Sequence, residues 1–398
     1  MRKHLILFIL LAFISLPGKS QIRHTIWDLP AIYKTPAAEV ISSDSAIGII
    51  YSGLPYHDTP QQVFAWYATP GTVTGNKSLD HDLPAVVLVH GGGGAAFKEW
   101  AIMWARKGYA AIAMDLRGNG PGKTHLDHGF VEPDNKTPYF TITPALSGQW
   151  MYQAVADVIL AHNLLRSKPE VDSNRVALTG ISWGGIIACL LAGVDNRYKA
   201  VVPVYGCGYL FENSSMRKEL DLRSPADKHT WIQQYDPSQY ISKAAMPVLF
   251  VNGTNDGHFY LDSYKKTYEQ VRHKYLCVKP GLKHSHHAGW SNEEIFCFIN
   301  SYLLHTPPLA VIKKSVTTKT GINARVESTI PLAAAFIHYT TDTTTLLKDK
   351  VWQTAKADVR GRRIVAALPP AGTLIWFLSV TDQRGMESSG EINFVQHP

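Results

Sequence analysis

A serine lies at the centre of the segment G-I-S-W-G at 180–184, which has the spacing G-x-S-x-G. This spacing is typical of a sharp turn between a strand and a helix, where the backbone lifts a serine hydroxyl clear of a sheet. Residues 176–178 are apolar, as in a buried strand, and residues 186–194 are apolar all round, as in a helix packed against a sheet. Ser182 is therefore predicted to act as a nucleophile. A glycine-rich packing turn without chemistry is the alternative.

A serine hydroxyl needs a base to take its proton, and that base needs an acid to orient it. In folds that carry this turn, the chain order is serine, acid, histidine. The acid is predicted to be Asp256, in the segment that follows the apolar run 247–251, and the alternative is a turn aspartate beside a glycine. The base is predicted to be His284, the first histidine after the next apolar run, and His286 is the alternative base.

Four glycines follow a histidine in the segment H-G-G-G-G at 90–94, directly after an apolar run. Without side chains, their backbone N–H groups can approach the oxyanion that forms when a serine attacks a carbonyl. We expect the oxyanion to contact the N–H groups of Gly92 and Gly93, together with that of Trp183, the residue after the serine. A glycine run can also hold phosphate, but this one has neither a Lys-Ser or Lys-Thr ending nor the G-x-G-x-x-G spacing, so no nucleotide site is expected.

The histidine cluster H-S-H-H at 284–287 could also bind a metal ion. No carboxylate or cysteine stands at a ligand spacing nearby, so neither a metal nor another cofactor is expected. The four cysteines fall in apolar runs and are predicted to be buried free thiols: Cys189, Cys207, Cys277 and Cys297.

The first 20 residues have the pattern of a signal peptide, with Arg2 and Lys3 before an apolar run at 5–16 and small residues at the end. This run is too short to span a bilayer and no later run is long enough, so we expect a secreted or periplasmic protein without a membrane partner. Removal of the segment, which also contains Lys19, lowers the net charge from +7 to +4. No basic run or stripe is present, so nucleic acid is not an expected partner.

Apolar strand runs alternate with helical patterns through most of the chain. Strands are predicted at 85–89, 109–114, 176–178, 200–204, 247–251 and 275–278, and helices at 95–107, 151–166, 186–194, 261–271 and 291–304. This alternation predicts an α/β fold with a mainly parallel sheet and helices on both faces. Two earlier runs, at 47–51 and 63–68, are predicted to form an antiparallel edge, so that a first domain occupies residues 21–305.

The pattern changes at the segment T-P-P, residues 306–308. Short β-rich runs separated by turns follow, without a helical pattern, at 309–316, 322–327, 335–340, 351–354, 363–368, 373–380 and 391–395. Such runs are typical of a β-sandwich of the immunoglobulin or fibronectin type III kind, so residues 306–398 are predicted to form an all-β domain. Because the sequence resolves no row of aromatic residues there, we favour a packing role for this domain over carbohydrate binding.

Two long connections interrupt the alternation, at 117–149 and 206–240, and loops of this length usually build or cover a site. We expect Arg117, Trp150 and Tyr209 to contact the substrate. Several aromatic side chains near the predicted mouth of the site could stack on sugar rings, with ordinary packing as an equal alternative: Phe130, Tyr139, Phe140, Trp150, Tyr209 and Trp231.

Five motifs together resemble those of exported bacterial α/β-hydrolases of the acetylxylan esterase and dienelactone-hydrolase-like group: H-G-G-G-G at 90–94, D-L-R-G at 115–118, G-I-S-W-G-G at 180–185, N-G-T-N-D at 252–256 and H-S-H at 284–286. The resemblance covers residues 27–304. It implies an α/β-hydrolase fold, a triad of Ser182, Asp256 and His284 at the matching positions, and a carboxylic-ester hydrolase. Similar proteins often carry a C-terminal β-sandwich and deacetylate plant polysaccharide.

The leading hypothesis is therefore a secreted serine esterase whose partner is a small-molecule or polysaccharide ester. A peptidase of the prolyl-oligopeptidase type shares the triad and is the first alternative. The second alternative is a non-catalytic protein that keeps the hydrolase fold as a scaffold while its sandwich binds carbohydrate. The complete set of serine, acid and histidine argues against that second alternative.

Overall fold

The computed structural model of the chain describes residues 25–56, 58–130, 138–343 and 346–395. The predicted signal peptide at 1–20 lies outside the described residues. The strands of the first part are β1 (Ala38–Ser43), β2 (Ile47–Tyr56), β3 (Thr59–Ala68), β4 (Leu83–Val89), β5 (Ala110–Met114), β6 (Val171–Ile181), β7 (Ala200–Val204), β8 (Val248–Gly253) and β9 (Lys274–Lys279). Its helices are α1 (Leu29–Ile32), α2 (Pro70–Thr74), α3 (Lys98–Arg106), α4 (Trp150–Arg166), α5 (Trp183–Val194), α6 (Arg217–Asp221), α7 (Pro225–Tyr235), α8 (Leu261–Glu269), α9 (His286–Trp290) and α10 (Glu293–Leu303).

The strands of this first part form one sheet in the order β1-β2-β3-β5-β4-β6-β7-β8-β9. Strands β1, β2 and β3 pair antiparallel, and so do β3 and β5, whereas all pairs between β5 and β9 are parallel. Every residue of β4 is buried, which requires both faces of the sheet to be covered. The predicted α/β fold, with its antiparallel edge, is therefore confirmed.

The connection at 206–240, predicted as a loop, contains the helices α6 and α7. Ser224 caps α7 by accepting a hydrogen bond from the Asp227 N–H, and Pro225 occupies the first helical position. The helix is mostly polar and buries only Trp231 and Tyr235, four residues apart, so its apolar stripe is too narrow for periodicity to reveal. The short helix α9 was also not predicted, and it begins after Ser285, whose Oγ accepts a hydrogen bond from the Ala288 N–H.

The second part is an antiparallel β-sandwich, as predicted. Its strands are β10 (Val311–Ile312), β11 (Val316–Thr318), β12 (Gly321–Glu327), β13 (Leu332–Thr340), β14 (Gln353–Arg360), β15 (Arg363–Ala366), β16 (Ile375–Asp382), β17 (Glu387–Ser389) and β18 (Asn393–Phe394). Strand β14 pairs with β13 along its first half and with β15 along its second half, so it joins the two layers. The side chains between the layers include Ile322, Ile337 and Ile364, all nearly inaccessible to solvent.

Strand β16 belongs to two hydrophobic cores. Leu378 and Val380 point between the layers of the sandwich, whereas Ile375 and Phe377 pack into the core of the α/β part. This alternation follows from the strand period of two, which sends successive side chains to opposite faces. The sandwich and the α/β part therefore share an apolar interface, to which Ile392 also contributes.

The four cysteines are free thiols, as predicted, although only three of them are buried and Cys297 is half-buried. Within the described residues, every helix is too short or too polar to serve as a membrane span.

We predict that Phe377→Ala lowers the free energy of unfolding by roughly 3 to 5 kcal/mol, because it opens a cavity at the interface of the two parts. Urea denaturation followed by tryptophan fluorescence measures this change. The control is Val316→Ala, at a side chain that is 61% exposed, for which a change below about 0.5 kcal/mol is expected. A loss for Phe377→Ala no larger than that of the control would contradict the shared core.

Candidate active site

Loops that follow the parallel strands β4, β6, β8 and β9 meet at one end of the sheet, because parallel strands place their carboxyl ends together. The glycine loop at 90–94 follows β4, and Ser182 follows β6 directly. Asp256 lies three residues beyond β8, and His284 lies five residues beyond β9. The structure thus brings together the four segments in which the sequence predicts chemistry.

Ser182 occupies the turn between β6 and α5 with φ +58° and ψ −115°. This conformation is strained for a residue with a Cβ, and Ser182 N–H donates a hydrogen bond of 2.8 Å to the Val204 carbonyl, which ties the turn to β7. A Cβ added at Gly180 would lie 2.1 Å from the Gly184 carbonyl oxygen, and one at Gly184 would lie 2.1 Å from that of Val89. Glycine at both positions is therefore a steric requirement of the crossing between strand and helix.

His284 joins Ser182 to Asp256 through its two ring nitrogens. Its Nδ1 lies 2.6 Å from Asp256 Oδ2 and its Nε2 lies 3.0 Å from Ser182 Oγ. A carboxylate only accepts hydrogen bonds, so the proton of the neutral ring is on Nδ1 and Nε2 accepts from the serine hydroxyl. In this arrangement Nε2 is able to take the proton of Ser182 Oγ during an attack on a carbonyl.

Asp256 is held in place by backbone groups of its own loop. Its Oδ1 accepts hydrogen bonds of 2.8 Å from the N–H groups of His258 and Phe259, and only 2% of the residue is exposed. With Oδ1 fixed in this way, Oδ2 points at His284. The rings of Tyr205 and Phe259 lie 4.6 and 5.9 Å from that of His284, so the imidazole is oriented by packing as well as by its hydrogen bonds.

His286, the alternative base of the sequence analysis, has a different partner. Its Nε2 accepts a hydrogen bond of 2.9 Å from the Gly91 N–H, so it holds the glycine loop beside the serine. Burial, together with smaller effects of His90, His284 and Lys123, lowers the pKa of His286 to about 4. The ring is therefore a neutral acceptor at pH 7.

His90 fixes the start of the glycine loop from the other side. Its Nδ1 lies 2.7 Å from the Gly91 carbonyl oxygen, and its Nε2 accepts a hydrogen bond of 3.0 Å from the Leu116 N–H. Because a carbonyl only accepts, the ring carries its proton on Nδ1. Burial lowers the pKa of His90 to about 4, so both contacts persist with a neutral imidazole.

The glycine loop lies against the serine and against Trp183. A Cβ at Gly91 would be 3.0 Å from Ser182 Cβ, and one at Gly92 would be 2.6 Å from Trp183 Cδ1. The Gly93 N–H, one of the predicted oxyanion donors, donates to the Tyr139 hydroxyl at 3.3 Å. Among the described residues, no hydrogen-bond acceptor faces the N–H groups of Gly92 and Trp183, which are the other two predicted donors.

A cavity of about 540 Å³ opens over Ser182 and His284. One wall is aromatic: the rings of Tyr139 and Trp183 stack with centroids 4.3 Å apart, and Phe140 contacts Trp183 edge to face. The opposite wall contains residues of the 206–240 connection, Met216 and Glu219 among them. Of the described residues that line this cavity, Glu219 is the only Asp, Glu, Lys or Arg.

The three predicted substrate contacts lie outside this cavity. Trp150 is 2% exposed and donates its indole N–H to the Leu116 carbonyl, so it supports the aromatic wall from behind. The Tyr209 hydroxyl accepts a hydrogen bond from Gln270 Nε2, and neither Tyr209 nor Arg117 lines the cavity. None of these three side chains therefore faces the cavity over Ser182, and the sequence does not show this because it does not reveal which way a side chain turns.

Other residues around the serine were not singled out by the sequence analysis. The H-S-H spacing indicated histidines but not that His286 would hold a loop. No sequence signal indicated Met216 or Glu219, which lie just before and within the helix α6 that was not predicted. Within the described part of the chain, no three His, Cys, Asp or Glu side chains are grouped so as to bind a metal ion.

Comparison with known families gives two matches. A family model described as acetyl xylan esterase matches residues 47–251, which is 205 of the 398 residues. A second family model, described as PhoPQ-activated pathogenicity-related protein, matches residues 222–345. Ser182 lies inside the first match, whereas Asp256 and His284 follow it.

Solved structures of two acetyl xylan esterases are similar in fold. The enzyme from Paenibacillus sp. R4 has a TM-score of 0.55 at 23% identity, over 69% of this chain and 92% of that one. Acetyl xylan esterase 1 from Thermoanaerobacterium sp. JW/SL YS485 has a TM-score of 0.52 at 17% identity, over 70% of this chain and 93% of that one.

Curated relatives include enzymes that cleave peptides. An uncharacterized peptidase of Bacillus subtilis is 24% identical over 212 residues, which is 49% of this chain and 28% of the relative. The acylamino-acid-releasing enzyme of Rattus norvegicus is 25% identical over 255 residues, which is 56% of this chain and 31% of the relative. The chain thus spans less than a third of the length of these relatives.

We predict that acid destabilises the fold through His90. Its native pKa of about 4 lies below the usual value of 6.5, so the unfolded chain binds a proton first as the pH falls. The free energy of unfolding should therefore decrease by about 3 kcal/mol between pH 7 and pH 4 from this group alone. Urea denaturation of wild type and His90→Gln at both pH values measures this decrease in the free energy of unfolding.

The His90→Gln variant should be less stable than wild type at pH 7 but should lose less stability on acidification. Val316→Ala, which removes no titrating group, should lose as much as wild type. An equal loss in wild type and His90→Gln would show that His90 does not stay neutral in the folded protein.

Proposed function

Because this chain belongs to the acetyl xylan esterase family and is a serine hydrolase, we propose that it deacetylates polysaccharide or oligosaccharide through Ser182, His284 and Asp256. The observation that carries the proposal is the pair of hydrogen bonds, 3.0 and 2.6 Å long, that joins these residues at the floor of an open cavity. We also propose that the protein is exported, because its first 20 residues have the pattern of a signal peptide.

The first half of the reaction acylates the serine. Ser182 Oγ attacks the ester carbonyl carbon while His284 Nε2 takes the hydroxyl proton, and the carbonyl electrons form an oxyanion. We propose that the N–H groups of Gly92 and Trp183 donate to that oxyanion, each contributing a factor on the order of 10² to 10³ in kcat. When the intermediate collapses, the sugar oxygen leaves with the proton from Nε2, and the acetyl group stays on Ser182.

The second half of the reaction releases acetate. A water molecule gives a proton to His284 Nε2 as its oxygen attacks the acetyl carbonyl. Collapse of this second intermediate returns the proton to Ser182 Oγ. Through both halves Asp256 keeps the imidazole in one tautomer and stabilises the imidazolium, because its Oδ2 accepts from Nδ1–H.

The cavity favours an uncharged substrate. Its aromatic wall offers the ring of Tyr139, which is partly exposed and rests on the buried Trp183, and such a ring suits the apolar face of a sugar. Glu219 places a carboxylate on the other wall, where a negatively charged substrate group would be repelled. We therefore propose neutral acetylated sugars as the substrate class, in preference to esters that carry a carboxylate.

A serine peptidase is the second candidate, and the relatives described as a peptidase and as an acylamino-acid-releasing enzyme favour it. The two candidates share the triad and differ in the bond that is cleaved. A panel of acetylated xylo-oligosaccharides and acylated peptides separates them, because the proposed esterase should release acetate and leave the peptides intact.

We predict that Ser182→Ala and His284→Ala each lower kcat for 4-nitrophenyl acetate by at least about 10³-fold, because each removes a member of one proton-transfer unit. His286→Gln should retain far more activity, since its side chain holds a loop and moves no proton. Initial rates measured at pH 8, with a fluorophosphonate probe to count reactive serines, give the comparison. Full activity in Ser182→Ala, or an equal loss in the two histidine variants, would refute these assignments.

We predict that Glu219→Gln changes the charge preference of the site. We compare kcat/KM for xylo-oligosaccharide acetates that carry a glucuronic acid branch with kcat/KM for those without one. The ratio of the branched to the unbranched substrate should rise roughly 3- to 10-fold, as expected for the loss of one partly screened charge. The matched control is Glu327→Gln on the sandwich strand β12. It removes the same charge at a residue that does not line the cavity. An unchanged ratio in Glu219→Gln would contradict the proposed preference for neutral substrates.

A further inference from the structure

A segment of the sandwich lies directly on the loop that carries Asp256. The Asn255 side chain donates two hydrogen bonds from Nδ2, one of 3.0 Å to the Lys348 carbonyl and one of 2.8 Å to the Lys350 carbonyl. On the other side of Asp256, a Cβ at Gly257 would lie 3.7 Å from Lys348 Cδ. We call residues 346–351 the brace, because they contact both neighbours of Asp256.

The same hydrogen bonds continue from Asn255 towards His284. The Thr254 hydroxyl donates to Asn255 Oδ1 at 2.7 Å and accepts from the Gly281 N–H at 3.2 Å. Gly281 precedes His284 by three residues, in the loop between β9 and the histidine. One continuous set of hydrogen bonds therefore joins the sandwich to the acid loop and to the base loop.

The brace is itself anchored in the fold. Leu347 lies in a single turn of 3-10 helix, Leu347–Asp349, and packs against the core of the α/β part. The Val351 N–H donates to Asp342 Oδ2 at 3.3 Å. Next to the brace, Trp352 contacts Phe377 edge to face, with ring centroids 5.7 Å apart. The carbonyls that Asn255 binds are thus held by contacts of the residues before and after them.

We infer that the C-terminal sandwich acts as part of the catalytic apparatus, by fixing the acid and base loops through Asn255, which is a positioning residue. The inference rests on the proposed triad. Asp256 contacts its histidine through one oxygen at 2.6 Å, and a displacement of about 1 Å at such a contact can lower a rate by up to 10²-fold. Backbone carbonyls of a second domain supply a rigid support for the loop that a surface loop lacks on its own.

The test is Asn255→Ala in the full chain, assayed with 4-nitrophenyl acetate. Active sites are counted with a fluorophosphonate probe, and kcat is calculated per labelled site, so that unfolded protein does not lower its value. We expect kcat per labelled site to fall about 10-fold, with KM changed less than about twofold, because the acid and base lose alignment while the cavity is unchanged. The Asn255 side chain is only half-buried, so the variant is expected to fold.

Two further variants separate positioning from simple stabilisation. Thr254→Val keeps the side-chain volume and removes the next link, so it should lower kcat in the same direction and add little to Asn255→Ala. In an Asp256→Asn background, Asn255→Ala should have almost no further effect on kcat, because the group that it positions is already lost. Additive losses in that background would overturn the inference.

The matched control is Glu391→Gln, which removes one charge of the interface ion pair with Lys274, the first residue of β9, at the end of that strand away from His284. It should leave kcat per labelled site unchanged. If Ser182→Ala abolishes turnover but Asn255→Ala keeps it at the wild-type level, the positioning role is overturned and the proposed function stands. Full turnover in Ser182→Ala would instead overturn the triad, and with it this inference.

Discussion

The strained backbone of Ser182 is the feature on which the rest of the site depends. A residue with a Cβ at φ +58° is unfavourable by on the order of 1 to 3 kcal/mol, and it persists only where the surroundings leave no other path. Here the surroundings are strand β6, helix α5 and the ends of β4 and β7. They lie so close together that a Cβ added at Gly180 or Gly184 would clash with a backbone carbonyl oxygen. The backbone contacts of Gly180 and Gly184 fix that crossing, and its direct result is a hydroxyl that points into the cavity.

Three histidines around this turn have different functions because their partners differ. His284 lies between a carboxylate and a hydroxyl, so it has both the acceptor and the orientation that proton transfer requires. The ring nitrogens of His286 and His90 form hydrogen bonds only with backbone groups, at Gly91 and Leu116, and burial keeps both rings neutral. The loop that faces the nucleophile is therefore held in place from both sides by imidazoles that do not titrate near neutral pH.

The sandwich is bound to the α/β part by two kinds of contact that act at different places. At the interface, alternate residues of β16 enter two cores, which makes the folding of one part depend on the other. At the edge of the active site, polar contacts from residues 346–351 reach the acid loop through Asn255. The apolar contacts fix the position of the sandwich, and this position allows the polar contacts with the acid loop to form.

The sequence by itself determined the order and type of most elements and the four segments that carry Ser182, Asp256, His284 and the glycine loop. It could do so because buried strands, apolar helices and close crossings that require glycine leave local patterns. It did not indicate the polar helix α7, whose buried face is two aromatic residues wide, and it placed Trp150 in contact with substrate although that side chain is buried behind the wall.

Only the tertiary structure decided which histidine meets the serine, which loop residues line the cavity and that Asn255 binds the sandwich. His284 and His286 are two residues apart and chemically identical, so no local pattern separates them. Their roles follow from hydrogen-bond distances near 3 Å, which are set by the paths of loops from distant strands. Patterns along a chain encode which face of an element is buried, whereas the partner of a polar side chain is fixed only when separate elements pack together.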